Sequence, residues 1–157
     1  MKTSLLLASL LACLVSFNAK ADDSIFDEYK VSLGLPAYTH HLIRKNEHGQ
    51  QWNEDNKGAF LEIGKRDSDW SLLLGSYNNS YFVRSNLLGI SYRPIGLFGD
   101  RIKLGAVAGL VSGYNKPVML AASIKAQITD NVGLHIMAVP TVGKNSGVVS
   151  SQITLDF

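Results

Sequence analysis

Two adjacent histidines, His40 and His41, and a serine that follows two asparagines, Ser80, are the residues whose types could do chemistry. An imidazole is the side chain most often used as a general base near neutral pH. A serine hydroxyl beside such a base can act as a nucleophile. His41 and Ser80 lie far apart in the sequence, so they can act together only if the fold joins them. Whether it does depends on the strands and connections that carry them.

The C-terminal segment alternates between apolar and polar residues, as a strand with two different faces does. Val149, Ile153 and Phe157 fall on one face, and Gln152 and Thr154 fall on the other. Any half-buried strand alternates, but seven more segments of strand length precede this one. We predict eight strands, at 29–44, 57–66, 69–78, 81–93, 101–112, 117–128, 131–140 and 148–157. Segments of about ten residues with this pattern are typical of an all-β, eight-stranded antiparallel barrel of the outer membrane.

Turn-forming residues separate the predicted strands, most clearly at 66–69, 94–100 and 129–131. If both termini lie in the periplasm, the connections after strands one, three, five and seven face outwards. These connections are 45–56, 77–81, 113–116 and 141–147, and the first is the longest. His41, near the tip of the first strand, and Ser80, in the second outward connection, would then meet at the outer end of the barrel.

The N-terminal segment has the layout of a secretory signal peptide. A basic start precedes an apolar run from Leu5 to Phe17, and Ala19 and Ala21 place small residues before a cut after residue 21. A competing lipoprotein-type cut precedes Cys13 but leaves an unusually brief apolar segment. We expect residues 1–21 to be removed and residues 22–157 to form one domain in the bacterial outer membrane.

Composition narrows the possible functions. The near-neutral formal net charge of +2 gives no sign of nucleic-acid binding, which needs a dense basic face, so we expect no nucleic-acid partner. The single cysteine, Cys13, lies in the predicted signal peptide, which leaves no thiolate and no cysteine metal ligand. Since His40 and His41 point to opposite faces of a strand, they form a poor chelate. We predict no metal and no cofactor.

Four short motifs and the last residue together resemble the PagP family of lipid A palmitoyltransferases, over residues 29–157. The motifs are Pro36-Ala37-Tyr38-Thr39-His40-His41, Trp52-Asn53-Glu54-Asp55, Asn79-Ser80 and Tyr92-Arg93-Pro94. They are similar, in the same order, to the family's Pro-Ala-Ile-Thr-Trp-His, Tyr-Asn-Glu-Arg, Asp-Ser and Trp-Arg-Pro. The final Phe157 matches as well.

The resemblance implies transfer of a palmitoyl-type chain from a phospholipid to lipid A at the outer leaflet. His41 and Ser80 fall on the family's essential histidine and serine, and Asn79 replaces its essential aspartate. Asparagine supplies no negative charge to stabilise an imidazolium. His41 would act as general base, with Ser80 and Asn79 organising the carbonyl or the acceptor. Whether Ser80 is a covalent nucleophile stays open.

The family also has a helix before its first strand that clamps the barrel. The segment 22–28 is too short for such a helix, so we expect a short or absent clamp. We expect a monomer with its active site facing outwards.

Three prolines lie in or at the ends of predicted strands, where each removes a ladder hydrogen bond. Pro36, Pro117 and Pro140 match positions at which the resembled family admits lipid laterally. We favour a functional gap at Pro36. Pro117 is at least as well explained as a turn former.

Several other residues receive simpler interpretations. His48 is interpreted as a solvated loop residue and His135 as a lumen residue with a hydrogen-bond partner. Gly105 and Gly109 could line an acyl-chain cavity or relieve crowding, and Gly89 is a candidate for the cavity floor. The aromatic residues interpreted as interfacial anchors are Trp52, Trp70, Tyr81 and Tyr92. The basic residues that could contact lipid A phosphates, or serve only as solvated surface charges, are Arg44, Lys45, Lys116 and Lys144.

We therefore predict an outer-membrane lipid A acyltransferase. Two alternatives remain. One is a deacylase that releases an acyl chain from lipid A or a phospholipid to water. The other is a non-catalytic barrel that modifies the cell surface or binds a partner.

Overall fold

The computed structural model describes residues 28–43, 45, 48–141 and 146–157. The predicted signal peptide, the short N-terminal segment 22–27, Arg44 and Lys144 lie outside the described residues. None of the helices among the described residues is long and apolar enough to span a membrane.

Eight antiparallel strands form a closed barrel in which each strand pairs with its sequence neighbours and β1 pairs with β8. The strands are β1 Tyr29–His41, β2 Gly58–Lys65, β3 Trp70–Asn78, β4 Arg84–Leu97, β5 Ile102–Val111, β6 Val118–Gln127, β7 Val132–Val139 and β8 Val148–Asp156. The predicted all-β fold, the number of strands and their order are confirmed.

The two ends of the barrel differ in their connections. The connections 66–69, 98–101 and 128–131 are short and lie at one end, which we call the turn end. At the other end, which we call the loop end, lie the connections 79–83 and 112–117 and the described residues of 42–57 and 140–147. As predicted, the first connection is the longest.

Successive side chains alternate across the wall because neighbouring residues of a strand point to opposite faces. On β3, Leu73 is buried inside the barrel while Leu72 and Leu74 are exposed on the outside. The predicted faces of β8 are also confirmed, with Gln152 and Thr154 buried and Ile153 exposed. The same rule gives an apolar outer surface that includes Leu88, Ile90, Leu110, Leu120 and Ile124.

The predicted turn at 94–100 is wrong at its start. Strand β4 continues through Pro94 to Leu97, and its register with β5 shifts between Tyr92 and Ile95. A β-bulge tolerates a proline, because the residue it leaves unpaired needs no ladder hydrogen bond. The chain reverses instead at residues 98–100, which all have positive φ (54°, 65° and 64°).

Two other predicted strand ends differ by three residues. β1 ends at His41 rather than at 44, and β4 begins at Arg84 rather than at 81. Residues 79–83 instead form a tight connection in which Phe82 has a φ of 61°.

The barrel interior has an apolar part and a polar part. The apolar cluster consists of Phe60, Leu73, Leu87, Val107, Val111, Ala121 and Met137, with Tyr77 and Tyr114 packed against it. Towards the turn end lies a polar network centred on the ion pair between Arg93 Nη1 and Glu62 Oε1, at 2.6 Å. The same network contains Lys125, whose Nζ lies 3.1 Å from Asp156 Oδ1. The apolar cluster lies nearer the loop end, where the candidate site is found.

Candidate functional site

A bulge in β1 turns His41 into the barrel. Leu35 and His41 are six residues apart and would share a face in a regular strand. The register of β1 with β8 shifts between Pro36 and Tyr38, which leaves Ala37 as the extra residue. Leu35 is therefore 39% exposed on the outer surface, whereas His41 is 1% exposed. A bulge that re-aims a side chain is common beside active sites.

Ser80 is presented by the tight connection between β3 and β4. The backbone N–H of Asn79 donates to the carbonyl oxygen of Val83 at 2.8 Å, and the N–H of Phe82 donates to the carbonyl oxygen of Asn79 at 3.1 Å. The Asn79 side chain braces this connection from within. Its Oδ1 accepts hydrogen bonds from the N–H groups of Tyr81, at 2.8 Å, and Val83, at 3.1 Å.

His41 and Ser80 form a buried pair across the loop end. The His41 Nε2 atom lies 2.8 Å from the Ser80 Oγ atom, and both residues are buried. An imidazole nitrogen at this distance from a hydroxyl can take its proton, which is the arrangement of a base and an activated serine.

Tyr114 adds a hydroxyl beside this pair. Its oxygen accepts a hydrogen bond from the Ser80 N–H at 3.4 Å and lies 3.5 Å from the Ser80 Oγ. Since Tyr114 also packs against the apolar cluster, it links the candidate site to the barrel interior. Its hydroxyl hydrogen can be donated to a negative charge that develops near Ser80.

Three consecutive residues of the connection 42–57 hold the pair together from outside. The Trp52 ring stacks on the His41 ring, with centroids 5.2 Å apart and planes at 10°. The Asn53 N–H donates to the Ser80 carbonyl oxygen at 3.0 Å, and its side-chain amide donates to the Asn79 carbonyl oxygen at 3.0 Å. The Glu54 Oε1 accepts a hydrogen bond from the His41 N–H at 3.2 Å. This tripeptide joins β1 to the β3–β4 connection.

Asn79 does not face His41 in the described contacts. Its Nδ2 donates to the Ser85 Oγ at 2.9 Å and to the Gly113 carbonyl oxygen at 3.2 Å. With its Oδ1 occupied as well, the side chain uses its hydrogen-bonding capacity to brace the loop end. Its role in organising the reaction stays a prediction.

Two interruptions of the barrel wall lie beside the prolines predicted to admit lipid, which are Pro36, Pro117 and Pro140. The β1–β2 ladder ends at the pair Gly34–Phe60, so β1 from Leu35 onwards pairs only with β8. We call this the β1–β2 gap. Pro36, which has no N–H to offer, lies within it.

The second interruption is between β6 and β7, whose ladder ends at the pair Ala122–Ala138. We call this the β6–β7 gap. Pro117 directly precedes β6 and Pro140 directly follows β7, so both lie at the loop-end tips of the strands that border it. The carbonyl oxygen of Pro117 accepts a hydrogen bond from the Val111 N–H at 2.7 Å, as expected of a residue that starts a strand.

The glycines proposed for an acyl-chain cavity lie where neighbouring strands pack closely. A Cβ atom would lie 1.8 Å from the Tyr92 carbonyl oxygen if added at Gly105, 2.7 Å from that of Leu88 at Gly109, and 2.9 Å from that of Ala108 at Gly89. All of these contacts are between β4 and β5. These distances support the interpretation of Gly105 and Gly109 as relief of crowding. The roles of Gly105 and Gly109 in lining a cavity, and of Gly89 as its floor, stay predictions.

The four aromatic residues interpreted as interfacial anchors divide into two groups. Trp70 and Tyr92 form a stacked, outward-facing pair near the turn end, with centroids 4.1 Å apart. This position fits an interfacial anchor. Trp52 and Tyr81 instead contact each other beside His41, with centroids 5.3 Å apart, so they belong to the candidate site.

The remaining candidates lie apart from this site. His135 is inside the barrel and lies 2.9 Å from the Ser123 Oγ, as expected of a lumen histidine with a partner. His48, Lys45 and Lys116 are exposed at the loop end.

Sequence reasoning missed Tyr114 and the contacts of residues 52–54. Tyr114 follows a glycine in a short connection and belongs to no motif. Residues 52–54 belong to one of the resembled motifs, but the sequence alone does not indicate which residues they contact.

No known protein family matches the chain, and no curated protein matches it. Four solved chains match. One of them is the Yersinia pestis outer membrane protein Ail in a phospholipid bilayer nanodisc, with a TM-score of 0.45 and 12% identity over 83% of this chain and 99% of that chain. The resemblance to the PagP family thus rests on the sequence motifs alone.

Proposed function

We propose that the protein is an outer-membrane barrel that transfers an acyl chain from a phospholipid to lipid A. The apolar outer surface of a closed barrel supports the location, because lipid cannot satisfy an open sheet edge and favours apolar side chains. The predicted signal peptide gives a route to this membrane. The loop end, which carries His41 and Ser80, would face the outer leaflet.

The observation that carries the proposed chemistry is the buried hydrogen bond between His41 and Ser80. Ester exchange needs a base that accepts a hydroxyl proton and returns it to the leaving oxygen. The hydroxyl of the acceptor, or first that of Ser80, forms a bond to the ester carbonyl carbon as its proton passes to His41 Nε2. The bond from that carbon to the glycerol oxygen then breaks, and His41 returns the proton to the glycerol oxygen. Where Ser80 is acylated first, the acceptor hydroxyl then forms a bond to the same carbon as its proton passes to His41, the bond from that carbon to Ser80 Oγ breaks, and His41 returns the proton to Oγ. Either route gives the acylated acceptor and a lysophospholipid.

The surroundings of the pair support a lipid substrate. Tyr114 joins Ser80 to the apolar cluster, which would lower the free energy of a bound hydrocarbon chain. The β1–β2 and β6–β7 gaps both lie at the same end of the barrel as the pair. Because side chains of the apolar cluster fill the described interior there, the donor chain must displace some of them or lie along a gap.

Mass spectrometry of lipid A tests the proposal. A strain that expresses the protein should contain lipid A with one added acyl chain, and His41→Ala and Ser80→Ala should each abolish the addition. His48→Ala, at another loop histidine, and Ser68→Ala, at the turn end, serve as matched controls that should leave it unchanged. Loss of an acyl chain from lipid A would indicate a deacylase instead.

One observation favours a second candidate, a non-catalytic surface barrel. Asn79 replaces an acidic residue in the resembled motif and is fully used in bracing the loop end. Lipid A and phospholipids that do not change on expression would support this candidate and contradict both enzymatic ones.

A further inference from the structure

Glu54 lies where its carboxylate can interact with His41. Asn79 carries an amide and cannot supply such a group. The Glu54 Oε1 lies 3.9 Å from His41 Nδ1, on the side of the ring opposite the Nε2 that contacts Ser80. It already accepts the His41 backbone N–H, so the carboxylate and the ring are held next to each other.

The protonation of His41 makes this position significant. For Nε2 to take a proton from a hydroxyl, the neutral ring must carry its own proton on Nδ1. Nδ1 is buried and has no hydrogen-bond partner among the described residues. A buried N–H without an acceptor is costly, so the opposite tautomer, with Nε2–H donating to Ser80, would otherwise be favoured. That tautomer cannot act as a base.

Glu54 is well placed to supply the missing hydrogen-bond acceptor for the His41 Nδ1–H. It is 45% exposed, so its side chain has room to move the short distance from an ion-pair separation to a hydrogen bond. Catalytic hydrogen bonds are often longer in unliganded structures and shorten when substrate binds. Its backbone is held by neighbours: Asn53 is anchored to residues 79 and 80, and Asp55 N–H donates to the Asn53 Oδ1 at 3.1 Å.

Two neighbouring charged groups bear on this contact between Glu54 and His41 Nδ1: a second carboxylate, Asp55, and a second histidine, His40. Asp55 pairs with Lys57, with Oδ2 and Nζ 2.8 Å apart. The second histidine, His40, has its Nδ1 3.4 Å from the same Glu54 oxygen but points outwards and stacks on Tyr38.

We propose that Glu54 is a positioning residue: its carboxylate accepts the proton of His41 Nδ1 and so keeps Nε2 free to act as the base towards Ser80. This inference deepens the proposed acyl transfer and rests on it for its functional meaning. The tautomer itself can be measured without any assay of activity.

The test is nitrogen NMR of the full chain, expressed with labelled histidine and purified from membranes in detergent, at a pH where the His41 ring is neutral. The His41 signals are assigned by their loss in His41→Gln. In the unmodified protein we expect the proton on Nδ1. In Glu54→Ala we expect it on Nε2, and Glu54→Asp should restore Nδ1–H at least in part. Asp55→Ala is the matched control and should leave the tautomer unchanged.

Lipid A acylation measured on the same variants separates this inference from the proposed function. We expect Glu54→Ala to lower the rate about 10-fold or more, and Glu54→Asp to recover part of the loss. An Nδ1–H signal that persists in Glu54→Ala would overturn the role of Glu54, whatever the activity. A tautomer that changes as expected, in a protein that alters no lipid, would support the role of Glu54 and contradict the acyltransferase proposal.

Discussion

The side-chain amide of Asn79 donates a hydrogen bond to the backbone carbonyl of Gly113, and this contact explains why an aspartate would not fit here. The two atoms are 3.2 Å apart, and Asn79 is fully buried. The orientation of the amide is fixed because Oδ1 must face two backbone N–H groups. A carboxylate oxygen in place of Nδ2 would face a carbonyl oxygen, and it would also face the hydroxyl of Ser85, which already donates to Ser112.

We therefore predict that Asn79→Asp destabilises the protein and gives no gain in activity. The unmatched acceptors should cost about 1–3 kcal/mol in the free energy of unfolding. Urea titration of the protein in lipid vesicles measures this cost, with Asn78→Asp as the neighbouring control. A rise in lipid A acylation in Asn79→Asp would show instead that position 79 acts on the reaction directly.

Tyr114→Phe tests the hydroxyl beside Ser80. The variant keeps the ring against the apolar cluster and removes one group that can donate to a developing oxyanion. Because the described contacts are long, at 3.4 and 3.5 Å, we expect about a 10-fold fall in kcat with little change in KM. Tyr81→Phe is the control, since its ring contacts Trp52 and Tyr114 without placing its hydroxyl on Ser80. Equal rates for Tyr114→Phe and the unmodified protein would exclude an oxyanion role for Tyr114.

The fold could be predicted from the sequence because period-2 alternation is a local property. Each strand has its own apolar and polar positions, and each turn has its own breakers, so Leu72, Leu73 and Leu74 can be assigned to faces without any other strand. The prediction that the fourth strand ends before Pro94 is wrong, because it treats this proline as a strand end. Proline ends a regular strand, but a bulge accommodates it, and a bulge depends on the neighbouring strand.

The site could be predicted only in part, for the same physical reason. His41 and Ser80 could be assigned to one end of the barrel, because antiparallel order alone decides which connections lie together. Whether the His41 side chain points into the barrel depends on the bulge at Ala37. The contacts of residues 52–54 depend on the path of a long connection. Neither leaves a periodic signal in the sequence.

The ion pair between Arg93 and Glu62 should be the strongest single support of the polar network. Both residues are buried, and Arg93 also donates to Ser123 at 2.8 Å. Removing one partner leaves an uncompensated buried charge, so Arg93→Ala and Glu62→Ala should each cost about 3–5 kcal/mol in the free energy of unfolding.

A double-mutant cycle measures the coupling between these two residues. The pair Glu62→Leu with Arg93→Met should cost less than the sum of the single replacements, because no charge is left unpaired. The free energies of unfolding are measured in vesicles. If the cost of the double replacement equals the sum of the two single costs, the ion pair is not what stabilises the network.

The last prediction concerns access through the β1–β2 gap. Pro36→Ala returns an N–H to β1 next to the end of the β1–β2 ladder and lets the strand pair further towards the loop end. The free energy of unfolding should change by no more than about 1 kcal/mol, because the new hydrogen bond is offset by a more flexible unfolded chain. The initial rate of acyl transfer should nevertheless fall, because the donor lipid would have to enter between strands β1 and β2 that are paired over a greater length.

Pro94→Ala is the matched control, since Pro94 also lies at a bulge but near the turn end, away from His41 and Ser80. Its stability should change by a similar amount and its rate should not change. If Pro36→Ala and Pro94→Ala have the same rate, the donor chain does not pass beside Pro36. In that case the β6–β7 gap, bordered by Pro117 and Pro140, is the remaining interruption of the described wall through which it could reach Ser80.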